Sequence, residues 1–353
     1  CLVQISTLEH LYLVDPLDGC DPLGLVPLLT DPDVEVVVHA GKQDMQLFHE
    51  LSGCIPRRIF DVQHAAAFAG YGAAMPYGRL VEETLGVRLE KGEAYSDWSR
   101  RPLTDSQLRY AADDVRYLLP MAARLREQLK ALGRLDWVEE EMQQYEQAAA
   151  YGADQDDLWR KVAGHGTLSE RQTAILRELA LWRDETAAKR NLPRAWLVKD
   201  PTLIEIARHS PSSIDALKAI RGIDLREAER SGPAILSAIE RGRQAKPIAA
   251  PHRPSRIDQA RTRMLSSLAD TVVRARAEQS GIASEMIATR GEVEALLLDF
   301  LSGKMQDANH RLLTGWRREL AGEAVLAVAR GEIAIRALDK PPFVEELRMK
   351  NEE

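Results

Sequence analysis

The stretch Tyr110-Ala-Ala-Asp-Asp114 decides the fold of the N-terminal part of the chain. It follows Thr104-Asp-Ser-Gln107, a capping box that predicts a helix running to about Leu132. Tyr110 and Asp114 are four residues apart, so they project from one helix face. A phenol and a carboxylate placed in this way can hold a metal ion and orient a water. A half-buried tyrosine beside a solvated acid is the plainer interpretation.

Upstream of this helix, short apolar runs alternate with helical segments. Leu2–Ile5 and Leu11–Val14 are predicted as neighbouring strands, and the β-branched run Val34–His39 as a strand buried on both faces. A helix is expected over Asp44–Glu50. Asp44 would then lie at the carboxyl edge of a sheet, where α/β sites form, or would simply complement the helix dipole. The pattern predicts an α/β domain whose mixed sheet is flanked by helices.

Composition excludes some classes of protein and leaves others open. The chain has 353 residues, a net charge of -7 and 45% hydrophobic residues, which suits two or three globular domains. Its net negative charge does not indicate a nucleic-acid-binding protein, but the charge of a local surface matters more for such binding than the net charge of the chain. The three cysteines lack metal-ligand spacing and predict free thiols in the cytoplasm. No apolar run approaches the roughly 18 residues of a membrane span.

The remainder of the chain is predicted to be helical. Gly232-Pro-Ala-Ile-Leu236 resembles Gly322-Glu-Ala-Val-Leu326, which suggests a diverged repeat of two helical blocks. A proline-rich linker, Lys246–Pro254, separates the two blocks. The predicted divisions are an α/β domain at 1–145, helical domains at 160–245 and 255–337, and a charged tail at 338–353.

Several motifs, taken in order, resemble one family. His39-Ala-Gly-Lys-Gln-Asp44 and Tyr110–Asp114 resemble the second and third motifs of the DEDD exonucleases. Leu179–Pro193 resembles the HRDC domain, a small helical bundle associated with nucleic-acid binding. The other motifs of the series are Phe60–Gln63, Gly86–Lys91 and Ser96–Leu103. The ordered series is similar to the ribonuclease D family.

The resemblance implies a fold, an activity and a cofactor. The fold would be a ribonuclease H-like exonuclease domain followed by two all-α HRDC-type bundles. The activity would be hydrolysis of RNA from its 3′ end, including the trailing ends of tRNA precursors, with two Mg²⁺ or Mn²⁺ ions held by four acids. Asp114 would bind the ion that activates water, Asp44 would help to hold the other ion, and Tyr110 would position the nucleophile. A tyrosine at this place resembles the DEDDy branch.

The family's first motif, Asp-x-Glu, does not occur at the expected place. It would lie on the strand before the one that begins at Cys1, and Asp15 has no acid two residues on. We therefore expect the chain to be N-terminally truncated, and the 353-residue polypeptide to bind metal poorly and to be nearly inactive. The full-length gene product is expected to be active. An in-frame Asp-x-Glu upstream of Cys1 would support the enzyme.

Other residues that match the family pattern are assigned to the scaffold. Asp61 and Gln63 are predicted to brace a strand end, and Trp98 and Pro102 to fix the loop before the Tyr110 helix. Trp98 as a base-stacking platform is the alternative. His39 is predicted to be a packed group near Asp44.

Four basic residues are candidates for RNA contact. Lys91 and Arg101 either touch RNA phosphate or are solvated loop charges. Arg261 and Arg263 belong to a local basic excess over residues 241–276, which either contacts phosphates or forms a solvated linker and helix face.

Three functions remain open at this point. The leading hypothesis is an exoribonuclease whose partners are RNA 3′ ends and tRNA precursors. The others are a non-catalytic RNA-binding protein on the same fold, which the missing acids would suit, and a DNA 3′–5′ exonuclease. No membrane association and no obligate protein partner is evident. The sequence does not define the RNA target, the preferred ion or the oligomeric state.

Overall fold

The computed structural model describes residues 2–90, 92–93, 96–147, 151, 155–190, 192–248, 256–305, 309–340 and 343–349. The chain forms two compact units, residues 1–151 together with 254–353, and residues 152–253. None of the described helices has the length and apolar character needed to cross a membrane.

The first unit begins with the predicted strand and helix alternation. Its elements as far as residue 146 are β1 Val3–Ser6, β2 Leu11–Val14, α1 Val26–Thr30, β3 Val36–Val38, α2 Lys42–Ser52, β4 Ile59–Asp61, α3 Val62–Phe68, α4 Tyr77–Leu85, α5 Asp105–Arg116, α6 Leu118–Ala131, α7 Leu135–Met142 and the 3-10 helix Gln143–Glu146.

The strands pair in both directions. β1 and β2 are antiparallel, with Val3 opposite Val14. β3 and β4 are parallel, with Val38 opposite Asp61. Both pairings expected of a mixed sheet are therefore present, and within the described residues they form two separate two-stranded ladders.

The prediction that Val34–His39 is buried on both faces was wrong. Val36, Val37 and Val38 form β3, and all three are only half-buried. In the described part of the chain, β4 is the strand hydrogen-bonded to β3. Within the described residues, no strand pairs with the opposite edge of β3.

The helix predicted from Thr104 to about Leu132 is two helices. The capping box is confirmed, since Thr104 and Gln107 exchange side-chain and backbone hydrogen bonds at the start of α5. The break falls at Tyr117, whose φ and ψ are -101° and 0°. Pro120 explains it, because a proline has no N–H to donate to the carbonyl four residues earlier and its ring crowds that carbonyl.

The second helical block shares a hydrophobic core with the N-terminal part of the chain. Phe68 and Leu125 belong to the same buried cluster as Leu296 and Val325. The elements of this block are α13 Arg256–Ser280, α14 Ser284–Ile287, α15 Arg290–Leu301, α16 Gly315–Arg317, α17 Glu323–Arg330, β5 Ile333–Ala337 and β6 Val344–Arg348.

The predicted helical end and charged tail of this block need correction. β5 and β6 form an antiparallel hairpin, whereas the sequence predicted the end of a helical domain and a charged tail at 338–353. Arg276 on α13 binds Glu346 through two hydrogen bonds of 2.7 Å. The Arg276 guanidinium and the Glu346 carboxylate are joined by two parallel hydrogen bonds, and this bidentate ion pair connects β6 to α13.

The second unit is helical, as predicted. Its helices are α8 Glu170–Arg190, α9 Arg194–Leu197, α10 Asp200–His209, α11 Ile214–Lys218 and α12 Leu225–Gln244. Leu176, Leu179 and Ile235 are fully buried where α8 and α12 pack. A Cβ on Gly242 would lie 2.4 Å from the Cα of Ile175, so only glycine permits this close approach. Of the predicted linker, residues 249–254 lie outside the described residues.

Helix α7 joins the N-terminal part to the second helical block. The Trp316 ring stacks on Trp137, with centroids 5.2 Å apart, and meets Phe68 edge-on at 5.0 Å. Arg317 is 2% exposed and its guanidinium forms a fork on the Glu141 carboxylate, with one hydrogen bond of 2.8 Å. The block is therefore fastened by aromatic packing around a buried ion pair.

Candidate active site

The turn between β3 and α2 places Asp44. Ala40 has a positive φ of 53°, and Gly41 is the N-cap of α2. A Cβ on Gly41 would lie 2.5 Å from the Cγ2 of Val38, so the turn requires glycine there. Asp44 follows in the first helical turn, as predicted.

The carboxylate of Asp61 holds this turn in place. It accepts the backbone N–H groups of Ala40 and Gly41 at 3.0 Å each, and that of Gln63 at 2.9 Å. The hydroxyl of Tyr145 donates to the same carboxylate at 2.8 Å. The prediction that Asp61 braces a strand end is confirmed. Tyr145 was missed, because nothing near it in the sequence indicates a partner 84 residues away.

Asp61 is an ionised group inside the protein. Burial by itself would raise the pKa of its carboxyl, but His64, Tyr145 and the N–H of Gln63 together outweigh it and lower the pKa to about 2. Desolvation raises the pKa of Asp44, and the charge of Asp61 raises it further. Asp44 is therefore held near a buried negative charge, although the residue itself reaches solvent.

His39 is a packed group, as predicted. Its Nε2 lies 3.0 Å from the carbonyl oxygen of Met75, and its ring meets Tyr77 edge-on at 5.4 Å. The side-chain amide of Gln63 donates to the same carbonyl at 3.3 Å. His39 and Gln63 thus support the segment that enters α4.

Helix α5 presents Tyr110 and Asp114 one turn apart, while Ala111 between them is fully buried. Burial raises the pKa of Asp114 to about 6, and the charge of Asp113 adds to this effect. Burial also raises the pKa of the Tyr110 phenol, as does the charge of Asp114. In the described part of the chain the structure shows no ion pair or hydrogen bond to the Asp114 carboxylate, so its charge is not neutralised by a neighbour.

Asp113 and Asp114 differ in their surroundings. Arg116 donates to the Asp113 carboxylate at 3.0 Å, and Tyr77 donates to the Asp113 carbonyl at 2.9 Å. Asp113 is therefore a paired surface acid. Asp114 is the acid of the two that is available to a ligand.

The loop before α5 packs on Tyr110. The rings of Trp98 and Tyr110 are 5.9 Å apart, and the Trp98 indole donates to the carbonyl of Glu93 at 3.1 Å. Pro102 follows a cis peptide bond. These contacts agree with the prediction that Trp98 fixes the loop.

The candidate RNA contacts have different environments. Arg101 is bound to Asp15 through a two-pronged ion pair, with one hydrogen bond of 2.6 Å, so a phosphate would have to compete with that carboxylate. Lys91 lies outside the described residues. Arg261 and Arg263 are exposed on α13.

The donor set fits a divalent metal in kind but is not complete. Asp44 and Asp114 offer hard carboxylate oxygens of the type that Mg²⁺ and Mn²⁺ prefer. Within the described residues, no three acidic, histidine or cysteine side chains are grouped closely enough to hold an ion. Asp44 and Asp114 are each suited in kind to bind such an ion.

Comparison with known proteins shows the family. The 3′–5′ exonuclease family matches residues 1–130, the HRDC domain matches 172–239, and the C-terminal HRDC domain of ribonuclease D matches 264–325. Ribonuclease D of Gluconacetobacter diazotrophicus is 35% identical over 95% of this chain and 84% of its own length. That of Granulibacter bethesdensis is 36% identical with the same coverage.

The chain belongs to the ribonuclease D family. The crystal structure of Escherichia coli RNase D, described as an exoribonuclease involved in structured RNA processing, matches with a TM-score of 0.80 and 31% identity over 94% of this chain and 88% of that one. The predicted order, an exonuclease domain followed by two HRDC-type bundles, is confirmed. The activity of this family is 3′–5′ exoribonuclease activity.

The raised pKa of Asp114 predicts a pH-dependent loss of stability in the metal-free chain. Its pKa is about 6 when folded and 3.8 when unperturbed, so the folded state binds more protons between these values. The contribution of Asp114 to stability therefore falls as pH rises from about 4 to about 6, and stays low above that range. We expect Asp114→Asn to stabilise the chain by about 1–2 kcal/mol at neutral pH, after allowance for partial exposure.

Urea unfolding in EDTA across this pH range measures the effect as the difference between the variant and the wild type. The difference should grow between about pH 4 and about pH 6. A difference that does not change with pH would contradict the prediction.

Proposed function

We propose that this protein trims RNA 3′ ends, including those of tRNA precursors, in the cytoplasm by metal-dependent phosphodiester hydrolysis. The observation that carries the proposal is the pair Tyr110 and Asp114, which share one face of α5 and whose pKa values are both raised by burial. Acids with shifted pKa values and free oxygens are typical of functional sites. The family membership identifies RNA as the substrate class.

In this proposal Asp44 and Asp114 hold two divalent ions, Mg²⁺ or Mn²⁺, together with further acids. When bound, the ions stabilise the charge that develops on the phosphate. Asp114 would hold the ion that activates the attacking water, Asp44 would help to hold the other ion, and the Tyr110 hydroxyl would position the nucleophile by hydrogen bonding. Asp61 touches neither RNA nor metal, and it keeps Asp44 in place through the Ala40–Gly41 turn.

The test compares two polypeptides. One is residues 1–353. The other, the extended chain, carries a family Asp-x-Glu strand fused ahead of Cys1. We expect Mg²⁺- or Mn²⁺-dependent shortening of a 3′-extended tRNA precursor by the extended chain, and little or none by residues 1–353. Efficient trimming by residues 1–353 would show that the two acids suffice.

Two other functions are outcomes of the same experiment. A non-catalytic RNA-binding protein is favoured by the incomplete group of acids among the described residues. It would be supported if the extended chain bound RNA without shortening it. A DNA 3′–5′ exonuclease would be supported by preference for a DNA strand over an RNA strand of matched sequence, since metal-assisted hydrolysis does not itself distinguish the sugars.

The exposed face of α13 is proposed as an RNA contact. If Arg261 and Arg263 each bind a phosphate, reversal of both charges should raise the Kd for single-stranded RNA about ten-fold and reduce the slope of log K against log salt by about 1.4. Lys304→Glu with Arg318→Glu is the matched control, because it makes the same change in net charge elsewhere in the block. Equal effects of the two double variants would exclude a local contact.

A further inference from the structure

Trp196 presents an unusually bare aromatic surface. It is 75% exposed and lies on α9 in the second unit. The next two residues, Leu197 and Val198, are 6% and 4% exposed, so the backbone that turns them inward turns the indole outward. The chain's other tryptophans are buried or half-buried: Trp98, Trp137, Trp159, Trp182 and Trp316. Tryptophan is enriched at interfaces, because its ring offers a large apolar surface together with an N–H donor.

The charges around Trp196 are positive. The segment Thr186–Lys199 contains four basic residues and no acidic one. Arg190 is paired with Glu227 at 2.8 Å and Arg194 with Asp184, whereas Lys189 and Lys199 are exposed. Residues 152–253 carry 18 lysines and arginines against 14 aspartates and glutamates, whereas the whole chain has a net charge of -7. Positive charge is therefore concentrated in the unit that bears the ring.

Ala195, the residue before Trp196, lines a cleft of about 210 Å³. The basic residues that line the same cleft are Lys161, Arg183 and Arg194.

Two acids also line this cleft, and both are already paired. Asp184 binds Arg194, and Asp200 accepts from Arg183 at 2.7 Å and from the N–H of Ala163 at 2.9 Å. Among the described residues that line the cleft, the charge of Lys161 is left as the excess, and this favours an anion.

We propose that Trp196 stacks on an unpaired base of the RNA substrate and that the adjacent cleft receives a phosphate of the same strand. A flat aromatic surface next to a cationic groove suits single-stranded nucleic acid, since every unpaired base offers a face for stacking and every nucleotide a phosphate. A base within a duplex has both faces covered and cannot stack in this way. The proposal rests on RNA being the substrate, as proposed above.

The first test measures RNA binding by residues 1–353 in EDTA, so that no cleavage occurs. Fluorescence anisotropy with a labelled single-stranded RNA should give a Kd about ten-fold higher for Trp196→Ala than for the wild type. Trp196→Phe keeps an aromatic face and should stay within about three-fold. Leu225→Ala is the matched control, because Leu225 is 59% exposed in the same unit, and it should not change the Kd.

Tryptophan emission gives an independent readout of stacking. RNA should quench the emission of the wild type, and this component should be absent from Trp196→Ala. A Kd unchanged by Trp196→Ala, or equal affinity for a blunt RNA duplex, would overturn the proposal. So would a dimer, seen by sedimentation, that Trp196→Ala dissociates, because the ring would then be covered by a second copy of the chain.

The phosphate part of the proposal has its own test. Lys161→Glu should reduce the slope of log K against log salt by about 0.7, the value for one phosphate of a single strand. Arg221→Glu makes the same charge change at an exposed residue of the same unit and should leave the slope nearly unchanged. Equal slopes in the two variants would overturn the phosphate contact.

Catalysis separates this proposal from the proposed function. In the extended chain, Trp196→Ala should raise KM about ten-fold for a single-stranded 3′ end while kcat stays within about two-fold. A fall in kcat with KM unchanged would contradict a stacking role. An extended chain that binds RNA but never shortens it would count against the proposed function alone.

Discussion

Asp114→Asn in the extended chain is expected to slow metal-dependent RNA trimming about 10³-fold. A divalent ion in a hydrolytic site contributes several kcal/mol to the stability of the transition state, and each 1.4 kcal/mol corresponds to a factor of ten in rate. Asparagine keeps the shape of the side chain but removes the charge that holds the ion. Single-turnover trimming of a 3′-extended RNA, measured over a range of Mn²⁺ concentrations, tests the expectation.

The matched control is Asp113→Asn, one residue away. Asp113 is paired with Arg116 at the surface, so its loss should change the rate by less than about three-fold. Since Asp114→Asn should also be more stable than the wild type without metal, slow trimming by that variant cannot be ascribed to unfolding. If Asp113→Asn were the slower variant, the assignment of Asp114 would be wrong.

Arg317→Ala is expected to destabilise the first unit by about 3–5 kcal/mol, the usual cost of removing one partner of a buried ion pair. Arg317 is 2% exposed, and the change leaves the Glu141 carboxylate without its fork. It also removes the hydrogen bonds that the carbonyls of Met286 and Ile287 accept from the Arg317 Nε at 3.1 and 3.2 Å. Urea unfolding followed by tryptophan fluorescence measures the loss.

Two variants separate the buried pair from charge in general. Arg318→Ala removes the neighbouring arginine, which is 61% exposed and paired with Glu323, and should cost less than about 1 kcal/mol. Arg317→Met with Glu141→Leu removes both charges and should recover most of the stability, because no buried charge is left unpaired. If the double variant were as unstable as Arg317→Ala, packing rather than charge would explain the loss.

The pKa of Asp61, which holds the Ala40–Gly41 turn, is shifted in the opposite direction to the pKa values of Asp44 and Asp114. Asp61 is buried, yet its hydrogen bonds keep its pKa at about 2, so its charge is stabilised by the fold. Burial raises the pKa of Asp44 and Asp114, so their charges cost stability in the metal-free chain. This contrast separates the acid that holds the backbone from the acids proposed to hold metal.

The sequence alone determined the features that depend on neighbouring residues. Thr104 and Gln107 could be recognised as a capping box because both hydrogen bonds close within one helical turn. The common face of Tyr110 and Asp114 follows from the helical repeat. The place of Asp44 in the first turn of α2 was predicted from the strand before it, although the prediction that this strand is buried on both faces was wrong. Motif order then indicated the family, which the comparisons confirmed.

Only the tertiary structure decided which charges are free. The spacing from Tyr110 selects Asp114 over Asp113 in the sequence, and the Asp113–Arg116 pair closes within one helical turn, but the burial that raises the pKa of Asp114 comes from packing. Asp61 depends on Tyr145, 84 residues away, and Glu141 depends on Arg317, 176 residues away. A local pattern records hydrogen bonds that close within a few residues. Which distant surfaces meet, and therefore which charges are neutralised, is set by the packing of the whole unit.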